Sequence, residues 1–346
     1  MNNKDNLFAQ VPMEFIGPVK ISSQELTGEF KVPMATFETP LWPSCNRGAK
    51  VSRLTDEGIS VVIVKDNMTR SILLQALNAK YLENVLVDLR KRFKEISIIA
   101  AKNSKFVSLQ EWHEQIVGNL IYLRFSFDTK DASGHNMATL AAENILNWLI
   151  VEYPQLKHVS ISGNYCTDKK VSAVNGILGR GKYVVAEIII PRDIIVNVLN
   201  STPEKITELN IKKNLIGGIL AGSLRSANAH FANMLLAIYL ATGQDAANII
   251  EGSQGIVHAE VVEESLYFSV TLPNLIVGTV GNGKDLPFVQ KNFKGMGCDN
   301  LNSRRLAIIV ASSVLCGELS LLAAQTNPGE LMRTHFNFER SKQGIK

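Results

Sequence analysis

Ser162-Gly163-Asn164-Tyr165-Cys166-Thr167-Asp168-Lys169-Lys170 is the stretch on which the reading of this chain turns. Two adjacent ammonium groups follow a carboxylate, inside a segment rich in turn-forming and hydroxyl residues. Such a segment reads as an ordered loop presenting Asp168, Lys169 and Lys170 to one small space. A desolvated lysine beside carboxylates suits an enzyme that must hold a negative oxygen while a carbonyl is reduced or attacked. A bare Asp-Lys-Lys tripeptide is by itself an ordinary solvated surface feature, so the weight falls on its surroundings.

Upstream of the loop lies a discrete unit. Ser60–Val64 alternates and is β-branched, which predicts a strand. From Ser71 to Arg92, apolar residues at helical spacing (Ile72, Leu73, Ala76, Leu77, Leu82, Val85, Leu86, Leu89) precede a basic cluster suited to a helix C-terminus. Strand-like runs follow at Phe106–Leu109 and Leu120–Phe127, then a helix from near Gly134 to about Tyr153 and a last strand at His158–Ile161. The order β-α-β-β-α-β is that of a ferredoxin-like unit, and the fold class is α+β. Downstream the chain is helix-rich, with Phe231–Ala241 and Arg304–Ala324 as helices and Leu266–Val270 and Leu275–Val280 as a strand pair.

The 346 residues, 46% hydrophobic, are enough for two compact units. A formal charge of +4, with both signs interspersed, excludes the footprint of a nucleic-acid binder. Cys45, Cys166, Cys298 and Cys316 are scattered without metal-ligand spacing, which predicts a reduced cytoplasmic compartment and no metal. No signal-peptide pattern opens the chain. The apolar run Leu306–Ala324 carries Ser312, Ser313, Glu318 and Ser320, so it reads as a buried helix and not a membrane span.

The loop at Ser162–Lys170 resembles, nearly letter for letter, the catalytic-lysine loop of the 3-hydroxy-3-methylglutaryl-CoA reductase family, in the form found in eukaryotes and many archaea. Further segments match in family order: Pro33–Glu38, Asn46-Arg47-Gly48, Asp66–Arg70, Asp131–Asn136, Asn210–Leu215, Asn228–Asn233, Gly243–Ala247, Gly278–Gly281, Gly317–Leu321, and a tail from Thr334-His335 to Arg340-Ser341-Lys342. The resemblance implies a large substrate domain, residues 1–58 with 162–346, interrupted by a small NADP-binding domain, residues 59–161. It implies a homodimer or higher homo-oligomer with its active site at the subunit interface. It also implies two-step reduction of the thioester of 3-hydroxy-3-methylglutaryl-CoA to mevalonate and CoA, with two NADPH. Eukaryotic members carry a membrane anchor ahead of the catalytic part, and none is read here.

Such a reduction needs a cation at the developing oxyanion and proton donors for that oxygen and for the leaving thiolate. By resemblance, Lys169 polarises the carbonyl, Glu38 is the acid for the oxygen, and Asp245 lies beside the lysine and biases its charge. His335 protonates the CoA thiolate, a step suited to imidazole. A Glu, Lys and Asp sharing one dry site would titrate together. There is no GxGxxG, so a Rossmann domain is not supported. Instead Asp131, Ser133, Gly134, His135 and Asn136 open the second helix of the small unit, where free N–H groups can take a pyrophosphate. Read bare, the same residues are an ordinary helix cap. Ser104-Lys105 match the segment that reads the 2′-phosphate, which favours NADPH over NADH. Arg70, Ser162, Asp168, Lys170 and Lys213 match positions that hold the substrate carboxylate or line its pocket. Asn46 and Arg47 match CoA contacts, and His230 and Asn233 lie beside the catalytic centre. Ser341 matches a serine phosphorylated in some eukaryotic relatives.

Four departures stand out. His135 replaces the family's methionine or alanine, and could add a hydrogen bond or a charge to the phosphates or merely fill space. Lys105 replaces an arginine. After Glu38 the chain reads Thr39-Pro40-Leu41-Trp42-Pro43, and two prolines there predict a reshaped entrance. The chain starts close to Phe15–Pro18, without the helical segment that relatives carry upstream. These departures leave two other readings beside the reductase: a same-fold reductase of a related acyl-CoA, and a non-catalytic relative that binds CoA esters.

Overall fold

The computed structural model describes residues 7–102, 104–299 and 301–335, with Thr334 and His335 described by their backbone alone. Two antiparallel strands, β1 (Met13–Ser22) and β2 (Thr27–Ala35), lead into helix α1 (Leu41–Leu54). The Trp42 indole N–H donates to the Met34 carbonyl at 2.9 Å, which pins the turn between β2 and α1.

Strand β3 (Ser60–Gln75) runs 16 residues and belongs to both halves of the molecule. Its first half pairs with β7 (Gly181–Ile190); its second pairs with β5 (Leu120–Asp128) and β6 (Lys157–Ile161). Between β3 and β6 come α2 (Ala79–Leu89), α3 (Phe93–Ala100), β4 (Ser108–Val117), β5 and α4 (His135–Glu152). The spatial order β4-β5-β3-β6, antiparallel throughout, is a ferredoxin-like sheet carrying one extra helix, α3.

After β6 the chain forms α5 (Ala173–Leu178), β7, α6 (Pro203–Leu209), α7 (Phe231–Ala241), β8 (Ile256–Val262), β9 (Ser265–Leu275), α8 (Pro287–Met296), α9 (Ser303–Gln325) and α10 (Glu330–His335). Strands β7, β9 and β8 extend the seven-stranded sheet in that order. The α+β class is as the sequence predicts.

Apolar side chains gather in two cores. The larger draws on residues from Ile16 to Val61 and from Val184 to Ala323; the smaller lies between Met68 and Leu156, joined by Ile276. Helix α9 threads the larger core and is buried at every position from Leu306 to Ser320. By length and composition it could cross a bilayer, but its side chains are used inside the protein. Ser312 and Ser313 return their hydroxyls to the Ile308 and Ile309 carbonyls, which lets them sit in an apolar interior.

Two expectations fail. Ser71–Gln75 is strand, not helix, and the helix begins only at Ala79. The apolar run Ile72-Leu73-Leu74 satisfies either period, and Asn78, whose side chain accepts from the Tyr81 N–H at 2.9 Å, marks the real start. Leu275–Val280 is not the partner of Leu266–Val270 either; β9 runs through Ser265–Leu275 and pairs with β8. Beyond it, Gly278 is held at both its N–H and its carbonyl by the Gln244 side chain, 3.0 Å each.

Helices α1 and α9 cross at Gly48, where a Cβ would sit 2.1 Å from the Cys316 carbonyl oxygen. Because that neighbour is backbone deep in the core, Gly48→Ala should cost about 1–3 kcal/mol of stability through overpacking. Urea denaturation of the two proteins measures it; equal midpoints would mean the crossing can widen freely.

Candidate functional site

A cavity of about 490 Å³ opens where the two cores meet, lined by residues of β3, of the turn into α4, of the Asp168–Lys169 loop, and of the segments around Asp245 and 280–284. Gly134 caps α4 at φ +87° with no side chain bonded to the first turn. A Cβ there would lie 2.3 Å from Thr129 Oγ1, and one at Gly278 would lie 2.5 Å from the Ser133 nitrogen. Only glycine allows this close packing, which leaves the first-turn N–H groups of an 18-residue helix to face a ligand. Ser133, His135 and Asn136 line the cavity. Residues of this kind fit a dinucleotide pyrophosphate.

Lys169 sits at φ +55° in the loop that follows β6. Its Nζ meets Asp245 Oδ2 at 2.8 Å. That hydrogen bond raises the lysine above its ordinary range. Burial alone would raise Asp245, but Lys169 holds it below the usual carboxylate value. The pair is therefore ionised, ammonium against carboxylate.

Behind it lies a buried network. Arg180 and Glu251 are both fully buried and pair at 2.7 Å. Arg180 Nη2 also reaches Asp168 Oδ1 at 3.0 Å, and Glu251 Oε1 accepts from the Lys169 backbone N–H at 3.1 Å. His135 Nε2 lies 3.6 Å from Asp168 Oδ1 and 3.3 Å from the Asn248 amide. Burial, then the nearby Arg180 charge, push His135 down to about 4. The ring is thus neutral near pH 7.

A second cavity, of about 390 Å³, takes Glu38, Arg47, His230 and Asn233. Pro40 is the N-cap of α1 and Pro43 falls in its first turn, where no N–H is needed. The two prolines thus start a helix, and Pro40, Leu41 and Pro43 themselves form part of the wall. Arg47 is anchored by Glu330 at 2.6 Å and by Ser320. The backbone N–H groups of Ala229 and His230 donate to the fully buried Glu318 at 2.8 and 2.6 Å. Burial lowers Lys213 from its ordinary range, and the Glu318 charge opposes that.

The single chain does not put Glu38 in the cavity of Lys169 and Asp245, so the one dry site expected for the three is not formed within it. The other candidate residues have these places in the single chain. Asn46 accepts from the Gly17 N–H at 2.7 Å. Asp131 accepts from the Ser303 N–H at 2.8 Å and so caps α9. Ser162 bonds the Asn164 N–H, and Lys170 turns back to the Asp168 carbonyl. Ser104 and Lys105 lie in the turn before β4, at the same sheet end as the turn into α4, since Ser108 pairs with Asp128. Arg70 lines the first cavity. His335 ends α10 with its side chain outside the described residues, and Ser341 lies outside them altogether.

Sequence reasoning missed Arg180, Glu251 and Lys284. Arg180 stands between two glycines, both at positive φ, which is a signal of tight local packing; Glu251 carried none.

The sequence profile described as hydroxymethylglutaryl-coenzyme A reductase matches residues 8–340. A 3-hydroxy-3-methylglutaryl-coenzyme A reductase of Pyrococcus abyssi is 46% identical over 324 residues, 91% of this chain and 79% of its own. One of Aeropyrum pernix is 43% identical over 333 residues, covering 94% and 78%. In structure, the class II enzyme of that name from Streptococcus pneumoniae, solved with NADPH, matches 94% of this chain and 88% of its own at a TM-score of 0.74 and 20% identity. That likeness supports the fold.

His135 generates a pH test. The unfolded ring protonates near 6.5 and the folded one near 4. The unfolded state therefore binds the extra proton between those values, and stability is lost as pH falls from about 6.5 to about 4, then levels. His135→Met should remove that component. Denaturation midpoints of both proteins at pH 7 and pH 4.5 check it; parallel losses would show that the ring is not held neutral.

Proposed function

The chain belongs to the hydroxymethylglutaryl-coenzyme A reductase family, and on that premise we propose that it reduces 3-hydroxy-3-methylglutaryl-CoA to mevalonate and CoA. The observation that carries the reading is the ionised Lys169–Asp245 pair in the cavity headed by the uncapped α4 N-terminus. NADPH, when bound, supplies the two hydrides the reaction requires. Ser133, Gly134, His135 and Asn136, with Ser104-Lys105, hold its phosphates, and Asp131 fixes their turn through the Ser303 N–H, within the unit of residues 59–161; residues 1–58 and 162–346 form the substrate unit.

Lys169 holds the thioester oxygen as negative charge develops on it, and Asp245 keeps that lysine charged. Glu38 delivers a proton to the oxygen, and His335 delivers one to the CoA thiolate. Arg47 and Asn46 face the CoA moiety. Arg70, Ser162, Asp168, Lys170, Lys213, His230 and Asn233 position the acyl part and its free carboxylate.

Because Glu38 and Lys169 line different cavities of one chain, two copies complete each other. The Lys169 half-site of one subunit meets the Glu38 half-site of its partner. The compartment is cytoplasmic, in keeping with four free, buried cysteines.

Turnover is tested by following NADPH oxidation with 3-hydroxy-3-methylglutaryl-CoA, beside NADH and beside Lys169→Ala. The wild type should consume NADPH and the variant should lose at least about 10³-fold in kcat. No turnover from a folded protein that still binds CoA esters would move the reading to a binding role, and turnover of another acyl-CoA alone would change the substrate. Shared sites make a further prediction. Lys169→Ala and Glu38→Gln, each inactive alone, should regain about a quarter of wild-type activity when refolded together in equal amounts, since half the dimers are mixed and each has one intact site. Failure to complement would place both residues in one subunit's site.

A further inference from the structure

Lys284 stands in the wall of the 490 Å³ cavity together with Arg70, His135, Asp168, Lys169 and Asp245. The residue is only 4% exposed, so its ammonium has been taken out of water. Such a group ordinarily survives burial by pairing with a carboxylate. Lys182, buried to a similar degree, does so with Asp66 at 3.1 Å. Lys284 has no ion pair among the described residues. Its Nζ donates to the Gly243 carbonyl, while the carboxylate two residues on, Asp245, is taken by Lys169. An ammonium has three donors, so two are left for a ligand.

The attachment is firmly built. Gly243 and Gly283 lie at φ +62° and +83°, and a Cβ on Gly243 would sit 2.2 Å from the Gly283 carbonyl oxygen. The backbones are pressed together, which fixes the Lys284 segment beside the Asp245 turn. Two further features of the cavity favour negative charge in the same space: the N-terminus of α4, which has no side-chain cap, and Arg70, whose Nε is buried without a partner among the described residues.

We propose that Lys284 is a phosphate-binding residue, donating to a phosphate oxygen of the dinucleotide cofactor in the cavity it shares with the α4 N-terminus. This rests on the reading of that cavity as the cofactor site. The substrate's carboxylate is the competing anion, since Arg70 and Asp168 line the same cavity, and binding of NADPH with no acyl-CoA present separates the two.

Burial pushes Lys284 down to about 8, with the Asp245 charge opposing. The groups that face it across the cavity are Lys169, Asp245, Asp168, Arg70 and His135. An anion held by Lys284 is bound while the lysine is charged. Cofactor affinity should therefore hold below pH 8 and fall as pH rises past it.

The test is direct binding of NADPH, and separately of inorganic pyrophosphate, to the whole protein by titration calorimetry between pH 7 and 9.5, with no acyl-CoA present. Lys284→Met should weaken NADPH by about 10- to 100-fold at pH 7, the size of a lost charge-assisted hydrogen bond. Lys284→Arg should retain affinity within a few-fold and flatten the fall above pH 8, because the guanidinium does not titrate there. Lys284→Met binding like wild type would overturn the proposal. Should the methionine variant not fold, an arginine variant whose pH profile parallels wild type overturns it equally. Ser133→Tyr, which crowds the α4 end of the cavity, separates the two levels of the argument. If it abolishes NADPH binding while Lys284→Met does not, the cofactor site stands and only the lysine's role falls. If neither changes binding, the cofactor reading of the cavity is itself wrong.

Discussion

A guanidinium with no exposed surface sits at the centre of this molecule, and the lysine loop is built on it. Arg180 is held by Glu251 on one side and Asp168 on the other. Stripped of either partner, a charge this deep would cost several kcal/mol, since nothing else nearby can replace water. Glu251 is used twice, because the oxygen that meets Arg180 also accepts from the Lys169 backbone N–H. The loop between β6 and α5 has three residues besides glycine in the left-handed region, Asn164, Thr167 and Lys169. Each such conformation is unfavourable by of order 1 kcal/mol and persists only where its surroundings over-determine it. The buried pair provides that over-determination, so the ammonium of Lys169 is aimed by backbone fixed from below.

The same logic explains why the cavity lies between the two cores. β3 lends its first half to one sheet region and its second half to the other, so the cores cannot separate without breaking a strand. Ties cross that strand on both sides: Asp131 caps α9, and Arg124 of β5 donates to the Gly179 carbonyl at 2.7 Å. Backbone that would otherwise flex at a unit boundary is thereby locked, and polar groups can be placed there without being free to collapse on one another.

Much of this was legible because helices and loops with strong local chemistry announce themselves. Phe231–Ala241 is a helix over the residues its pattern marks, and the turn at Asp131–Asn136 opens α4 as read. The failures share one cause. Ile72–Leu74 is apolar at three successive positions although only Ile72 and Leu74 enter the smaller core, so periodicity cannot separate it from helix. Arg180 and Glu251 were invisible for a related reason. A charged residue announces burial only through its partner, and these partners lie 71 positions apart. Lys284 has no carboxylate partner at all among the described residues, so only the coordinates reveal that it is inside.

The division of Glu38 from Lys169 bears on how strong the catalytic charges are. In the single chain the Lys169 and Asp245 side chains are 42% and 48% exposed, so water screens their mutual attraction and any field they exert on a thioester oxygen. Glu38 and the neighbouring Phe37 are exposed too, the latter at 75%. A large aromatic ring left in water next to an acid is an unfavourable arrangement for an isolated molecule but a natural one for a surface awaiting cover. Under the proposed assembly, covering the two half-sites removes solvent from both at once. The lysine then acts at close range in a medium of lower dielectric, where a fixed cation stabilises a developing oxyanion far more than it could in water. Burying the charges and bringing the proton donor to them would be one event, and neither half-site would be competent before it.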